Sequence, residues 1–148
     1  MALFLVERRS PLPVAEAWRL LTDWRRHGRT APLTTVTVRR SPPDGGLGTL
    51  FVARTRLGPL GFDDPMEVTG WEPPEGSGSG HCRLDKRGRV VTGWARIDVV
   101  PQPVAGGCLV RWEEDLGVRG LPRLADPVLS RSGRLLFGRA VDRLLREP

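Results

Sequence analysis

The stretch that decides the fold is Ser10–Trp24, with the sequence SPLPVAEAWRLLTDW. Its two prolines, Pro11 and Pro13, block a helix upstream, and Pro13 suits a first helical turn because its missing N–H would have no partner there. An apolar face follows at helical spacing, formed by Val14, Ala17, Trp18 and Leu21. The stretch therefore predicts an amphipathic helix directly after a short strand at Ala2–Arg9.

Strand-like segments then follow as far as Gly117. They are rich in β-branched residues or alternate apolar and polar side chains, and turn sequences such as PPDGGLG separate them. The predicted strands are Thr34–Arg40, Thr49–Arg56, Phe62–Trp71, His81–Lys86, Val90–Val100 and Cys108–Gly117. A helix of about 20 residues is predicted from Asp126, a natural N-cap that is followed by Pro127. The order predicts an α+β fold in which about seven antiparallel strands form a curved sheet around this C-terminal helix.

Length and composition indicate a folded globular protein. The 148 residues are 39% hydrophobic and 27% charged, which favours a single domain over residues 1–148 and argues against disorder. No apolar run approaches the roughly 20 residues that span a bilayer. The start, MALFLVERRS, has too short an apolar run for a signal peptide. We therefore expect a cytoplasmic protein without a membrane span, whose oligomeric state, monomer or dimer, is left open.

The basic charge has a compositional explanation. The formal net charge is +6, which invites a nucleic-acid interpretation. However, Lys86 is the only lysine, Ile97 is the only isoleucine, and the chain has no Asn and no Tyr. This pattern is typical of a GC-rich genome, and the arginines are spread along the chain. Nucleic-acid binding is therefore disfavoured, and an adaptor that binds protein or RNA through surface arginines is kept as an alternative.

The two cysteines do not indicate a metal site. Cys82 and Cys108 lie on separate predicted strands, and no CxxC spacing is present. His81 adjoins Cys82, but adjacent strand residues point to opposite faces and cannot readily share one metal ion. We predict buried free thiols, with no metal and no cofactor.

Four short motifs occur in a recognisable order. The proline-led helix reads P-x-x-x-A-W-x-x-L-x-D-W over 13–24, a G-x-G turn follows at Gly46–Gly48, W-E-P-P stands at Trp71–Pro74, and V-V-P-x-x-x-x-G-G at Val99–Gly107. This layout resembles the START-like superfamily, also called Bet v 1-like, SRPBCC or helix-grip, and in particular its polyketide cyclase/dehydrase and lipid-transport branch. The resemblance implies a cavity between the sheet and the C-terminal helix that holds a hydrophobic small molecule. It implies no shared catalytic motif.

Alternation along the predicted strands selects candidate ligand-binding residues. The expected cavity wall is Phe51, Met66, Val68, Ile97, Val99, Val110 and Trp112, with the C-terminal helix as a lid. Glu114 shares the face of Trp112, so desolvation there would raise its pKa and make it a usable acid or base. The alternative is that Glu114 reaches solvent or pairs with an arginine such as Arg54.

Other polar residues have one structural and one functional interpretation each. Arg54 suits the surface, although an inward arginine would hold a carboxylate or an enolate oxygen. Asp63 and Asp64 precede a proline and are typical of a turn, or they form a catalytic or metal-binding pair. His27 and His81 are expected to be exposed, or one of them is a general base.

Two main hypotheses follow, beside the adaptor. The first is a binding domain for a hydrophobic or aromatic small molecule, polyketide-like or lipid-like. The second is a polyketide aromatase/cyclase that transfers protons through Glu114 or a histidine.

Overall fold

A computed structural model describes residues 2–76, 78–103 and 106–146, and this part of the chain forms a seven-stranded sheet and three α-helices. The strands are β1 (Ala2–Ser10), β2 (Thr34–Arg40), β3 (Leu50–Leu57), β4 (Leu60–Glu72), β5 (Gly80–Lys86), β6 (Val91–Pro101) and β7 (Cys108–Val118). The helices are α1 (Val14–Thr22), α2 (Trp24–Thr30) and α3 (Asp126–Arg146), and a short 3-10 turn at Arg123–Ala125 precedes α3. Ser77, Val104 and Ala105, which fall in two predicted loops, lie outside the described residues.

The sheet is antiparallel throughout, in the order β1-β7-β6-β5-β4-β3-β2. The first and last strands are therefore neighbours, paired from Ala2 opposite Leu116 to Ser10 opposite Cys108. Helices α1 and α2 carry the chain from β1 at one edge to β2 at the other. The predicted helix-grip α+β class is confirmed: a curved sheet and a long C-terminal helix.

The helix α3 packs across the sheet near β1. Its buried positions are Gly133, Gly138, Ala140, Val141 and Leu144. A Cβ on Gly133 would lie 2.5 Å from the Phe4 ring of β1, so only glycine permits this close approach. Other apolar residues of α3 are less enclosed: Leu135 is 63% exposed and Val128 is 66% exposed. Small residues at the contact therefore set which stripe of α3 faces the sheet.

The helix α1 closes one end of the concave face. Trp18 on α1 lies 5.0 Å from Trp71 of β4, measured between ring centroids. A Cβ on Gly80, the first residue of β5, would come within 2.6 Å of the Trp18 ring. Asp23 has φ −80° and ψ 89°, which ends α1, and α2 starts at the next residue. This end of the sheet is filled by side chains.

None of the described helices is long and apolar enough to cross a lipid bilayer. The cytoplasmic location remains a prediction.

Candidate functional site

A cavity of about 250 Å³ lies between the concave face of the sheet and α3, at the end that α1 leaves uncovered. Its wall is mainly apolar, and α3 contributes Leu136, Phe137 and Ala140. The lining side chains Phe62 and Leu136 are 42% and 44% exposed, so the cavity meets solvent between β4 and α3.

Aromatic rings form much of the wall. The ring of Trp24 stacks on Phe51, with centroids 4.9 Å apart and planes 11° apart. On the other side, Trp112 lies 5.3 Å from Phe137 of α3 and 5.7 Å from the imidazole of His27. Flat rigid rings of this kind favour contact with flat apolar molecules.

A buried acid–base group lies within this wall, and we call Asp64, Lys86 and Glu114 the polar triad. The Lys86 Nζ donates a hydrogen bond of 2.7 Å to Asp64 Oδ2 and lies 3.2 Å from Glu114 Oε1. The Trp112 Nε1–H donates to Glu114 Oε2 at 3.0 Å. The side chains of Lys86 and Glu114 are only 2% and 1% exposed, so the triad is almost entirely removed from bulk water.

Strand register brings the triad together. Asp64 lies on β4 in the same inward row as Met66, and Met66 is the direct partner of Lys86 on β5. Glu114 on β7 is the direct partner of Ala95 on β6. On β5, Lys86 lies two residues beyond Leu84, the direct partner of Ala95, so it reaches Glu114 diagonally across β6.

The electrostatics of the triad follow from burial. Desolvation raises the pKa of Glu114, and it also raises the pKa of Asp64, although the nearby Lys86 ammonium opposes both shifts. For Lys86, burial acts to lower the pKa, but the two carboxyl groups outweigh it and raise the pKa. Lys86 is thus held as an ammonium ion, and each carboxyl binds its proton more tightly than in water.

His27 on α2 also lines the cavity. Its Nε2–H donates to the Leu21 carbonyl oxygen at 2.8 Å, so the neutral ring has its lone pair on Nδ1. Burial is the main cause that lowers the pKa of His27. The imidazole is therefore uncharged at neutral pH.

The structure divides the proposed ligand-binding residues into two groups. Four of them line the cavity, namely Phe51, Met66, Trp112 and Glu114. The other four face the same way but are buried in the core toward the α1 end, outside the cavity lining; these are Val68, Ile97, Val99 and Val110. A role in ligand contact stays a prediction for all eight.

Two interpretations of acidic residues were wrong. Asp63 and Asp64 do not form a turn, because both lie inside β4. Asp63 points outward and binds Arg54 at 2.7 Å, so Arg54 lies at the surface and does not enter the cavity. Glu114 neither reaches solvent nor pairs with Arg54; its ion-pair partner is Lys86.

The remaining polar candidates lie on the outer face. His81 Nδ1 is 2.7 Å from Asp98 Oδ1, and its side chain is 47% exposed. The guanidinium of Arg83 stacks over Trp94, 4.9 Å from the ring centroid.

Cys82 and Cys108 are buried free thiols. Several arginines pair with neighbouring carboxylates, among them Arg8, Arg40, Arg87, Arg96 and Arg111. The adaptor alternative stays a prediction.

Sequence reasoning missed Lys86 and placed Asp64 either in a turn or in a pair with Asp63, although signals for an inward position of both Lys86 and Asp64 were present. Alternation that turns Met66 and Val68 inward also turns Asp64 inward, and the same rule places Lys86 in the row of Leu84. Lys86 is also the only lysine in a chain that otherwise uses arginine as its basic residue.

Comparison with solved structures identifies the fold. A START superfamily protein from Mycobacterium smegmatis has a TM-score of 0.76 and 10% identity, with 99% of each chain covered. TTHA0849 from Thermus thermophilus has a TM-score of 0.71 and 14% identity, with 97% of each chain covered. Norcoclaurine synthase from Thalictrum flavum, in complex with dopamine and hydroxybenzaldehyde, has a TM-score of 0.65 and 14% identity, covering 98% of this chain and 86% of that one.

The chain therefore has the START-like, or Bet v 1-like, fold. No family model and no curated protein sequence matches it.

Proposed function

We propose that the protein binds a hydrophobic or aromatic small molecule in the cavity between the sheet and α3. The observation that carries this proposal is the cavity itself, with an aromatic wall and a buried polar triad at one side. Small-molecule sites combine a mostly apolar surface with a few convergent polar groups in this way. The norcoclaurine synthase structure holds two small aromatic molecules in a protein of the same fold, which is support by analogy.

The size of the cavity limits the ligand. A volume of about 250 Å³ lies just below the usual range for sites of drug-sized molecules, about 300–1,000 Å³. A compact molecule of one or two rings fits this space better than a long acyl chain. The polyketide-like alternative therefore requires either a short chain or opening between Phe62 and α3.

The test is an NMR titration of the full chain with phenylpropanol, a neutral aromatic probe. We expect the indole N–H signal of Trp112 to shift, because this group lies in the cavity wall and donates to Glu114. Native mass spectrometry of freshly purified protein provides a second readout, since a co-purified small molecule would add mass that denaturation removes.

A pair of substitutions on β3 provides the control. Ala53→Phe places a ring inside the cavity, whereas Val52→Phe changes the neighbouring residue, whose side chain is outside the cavity lining. We expect Ala53→Phe to weaken phenylpropanol binding at least about tenfold and Val52→Phe to leave it nearly unchanged. Equal binding by both variants, or no binding by the wild type, would overturn the proposal.

The second candidate is a polyketide aromatase/cyclase, and the polar triad is the observation that favours it. The raised pKa values of Asp64 and Glu114 allow one carboxylate and one carboxylic acid to coexist beside Lys86. In an aldol cyclisation the carboxylate would take a proton from a methylene carbon, the carbanion would attack a carbonyl carbon, and the acid would protonate the new alkoxide. His27 is a second candidate base in the cavity.

Glu114→Gln separates this enzyme from a binding protein. We expect the variant to lose turnover of a linear poly-β-ketone thioester at least about a hundredfold while it still binds phenylpropanol. Turnover equal to that of the wild type would exclude Glu114 as the acid or base.

A further inference from the structure

The triad places two acidic groups and one basic group in the cavity wall. Among the described residues that line it, those able to carry a charge are Asp64, Lys86, Glu114 and His27. The imidazole of His27 is neutral at neutral pH, because burial lowers its pKa. Two carboxyl groups therefore face a single ammonium group, and one further positive charge would balance them.

Each of the two carboxyl groups also has an unused acceptor atom. Asp64 Oδ1 and Glu114 Oε1 are buried and have no hydrogen-bond partner within the part of the chain that the structure describes. Glu114 Oε1 keeps the Lys86 ammonium at 3.2 Å as its ion-pair partner, so Asp64 Oδ1 is the acceptor most in need of a donor. A buried acceptor without a donor raises the energy of the folded chain, so a ligand with N–H donors would be favoured here. A primary ammonium group has three such donors.

The aromatic wall beside the triad also suits a cation. The Trp112 indole donates a hydrogen bond to Glu114, and its ring centroid lies 5.3 Å from that of Phe137. The faces of such rings carry partial negative charge and attract ammonium groups within about 6 Å. The apolar remainder of the ligand would contact the same rings.

We propose that the cavity is a site for a small amine with an aromatic or apolar body, whose ammonium group contacts Asp64 and Glu114. This inference rests on the proposed function, because it names the chemical class of the molecule that the same cavity binds. With the amine bound, two ammonium groups meet two carboxylates, and the buried charges balance. A carboxylate ligand would instead add a third acidic group beside one ammonium, and a neutral ligand would supply no second cation.

Binding of the amine is expected to release a proton. Burial raises the pKa of Asp64 and of Glu114, so each carboxyl group holds a proton more tightly than in water. An incoming ammonium group favours the ionised form of both, so any proton that it displaces passes to the buffer. The heat of binding therefore depends on the ionisation enthalpy of the buffer.

The test uses three probes that share a phenylpropyl body: phenylpropylamine, phenylpropanol and phenylpropanoate. Isothermal titration of the full chain at neutral pH should give the tightest binding for the amine, at least about tenfold tighter than for the alcohol, because charged hydrogen bonds are the stronger ones. The acid should bind most weakly. Repeating the amine titration in phosphate and in Tris should give different heats of binding.

Adjacent residues on β4 supply a matched pair of variants. Asp64→Asn removes the charge of a triad member, whereas Asp63→Asn removes the charge of an outward residue that binds Arg54. We expect Asp64→Asn to reduce the preference for amine over alcohol to about twofold or less, with alcohol binding retained. Asp63→Asn should keep the wild-type preference. Alcohol binding confirms that each variant is folded, and Glu114→Gln provides the same test if Asp64→Asn does not fold.

The outcomes separate this inference from the proposed function. Alcohol binding equal to amine binding, tightest binding by the acid, or an amine preference that survives both Asp64→Asn and Glu114→Gln would overturn the amine site and leave the hydrophobic cavity standing. If the wild type binds none of the three probes, both proposals fail.

Discussion

The two faces of β4 show the same chemistry in opposite surroundings. Asp63 points outward and binds Arg54, with both side chains 45% exposed. Its neighbour Asp64 points inward and binds Lys86, whose side chain is 2% exposed. The outer pair has one acid and one base exposed to water. The inner group has two acids, Asp64 and Glu114, beside one base, Lys86.

The difference shows which ion pairs carry information about function. Exposed ion pairs are screened by water and contribute little to the stability of the fold, so the numbers of positive and negative charges among them need not be equal. A buried group must be matched in charge and in hydrogen bonds, because desolvation is costly and each unmatched atom raises the energy. An unbalanced buried triad in a cavity wall is therefore a feature that a ligand or a proton must complete.

The largest expected effect on stability comes from replacing Lys86, the base of the buried group, and it is compared with replacement of Arg54, the base of the exposed pair. Lys86→Met leaves two buried carboxyl groups without their cation, so at mildly alkaline pH the free energy of unfolding should fall by about 3–5 kcal/mol. The loss should shrink at acidic pH, where both carboxyl groups take up protons. Arg54→Met, on the exposed pair, should leave the urea midpoint unchanged. Equal losses in the two variants would contradict the distinction between the faces.

A smaller effect is expected in the pH dependence of stability. The pKa of Glu114 is raised by burial, so above the usual carboxyl range the unfolded chain releases a proton that the folded chain keeps. Stability should therefore fall as pH rises from the ordinary pKa to the raised one, by about 1.4 kcal/mol for each tenfold increase in proton affinity. We would measure the free energy of unfolding in urea at several pH values in this range. It should fall less steeply with pH in Glu114→Gln than in the wild type, and the remaining fall would come from Asp64.

Glu113, the outward neighbour of Glu114, provides the control for this measurement. Its side chain is 28% exposed and lies 3.9 Å from Arg96 at the outer face. Glu113→Gln should keep the wild-type slope. A wild-type slope in Glu114→Gln as well would show that Glu114 does not hold its proton in the folded chain.

The smallest effect concerns reactivity without a change in stability. Burial, and to a lesser extent the charge of Asp98, raise the pKa of the Cys82 thiol to about 12. At mildly alkaline pH this inward thiol should stay protonated and should not react with dithionitrobenzoate until the chain unfolds. Arg83→Cys places a thiol at the next position, which faces outward, and that thiol should react at once. Rapid reaction of Cys82 in the folded wild type would show that the inner face opens readily.

The sequence alone predicted most of the fold. The proline-led start of α1, the Asp–Pro sequence at the start of α3 and the alternation of β7 are local signals that act within one element. Asp126 itself has helical dihedral angles, so it is the first residue of α3 and not the predicted N-cap. The stripe of α3 that faces the sheet was harder to predict, because Leu135 and Val128 are as apolar as the buried positions. The close contact of Gly133 with Phe4 decided it, and this contact joins distant parts of the chain.

The site was predicted only in part, and the reason is again one of distance along the chain. Alternation placed Trp112 and Glu114 together on the inner face of β7, because they are two residues apart. It did not show that Lys86 comes within 3.2 Å of Glu114 from another strand, since that contact depends on the order and register of the strands in the sheet.

The sequence by itself determined the helix-grip architecture and an inward apolar face, because hydrophobic periodicity and turn residues act over a few positions. Only the tertiary structure decided where the cavity lies and which charges meet there. The helix α1 fills one end of the sheet and leaves the other end to the polar triad, and no local pattern specifies that choice. Burial then changes Asp64 from a surface acid like Asp63 into a group whose proton and partner must be matched.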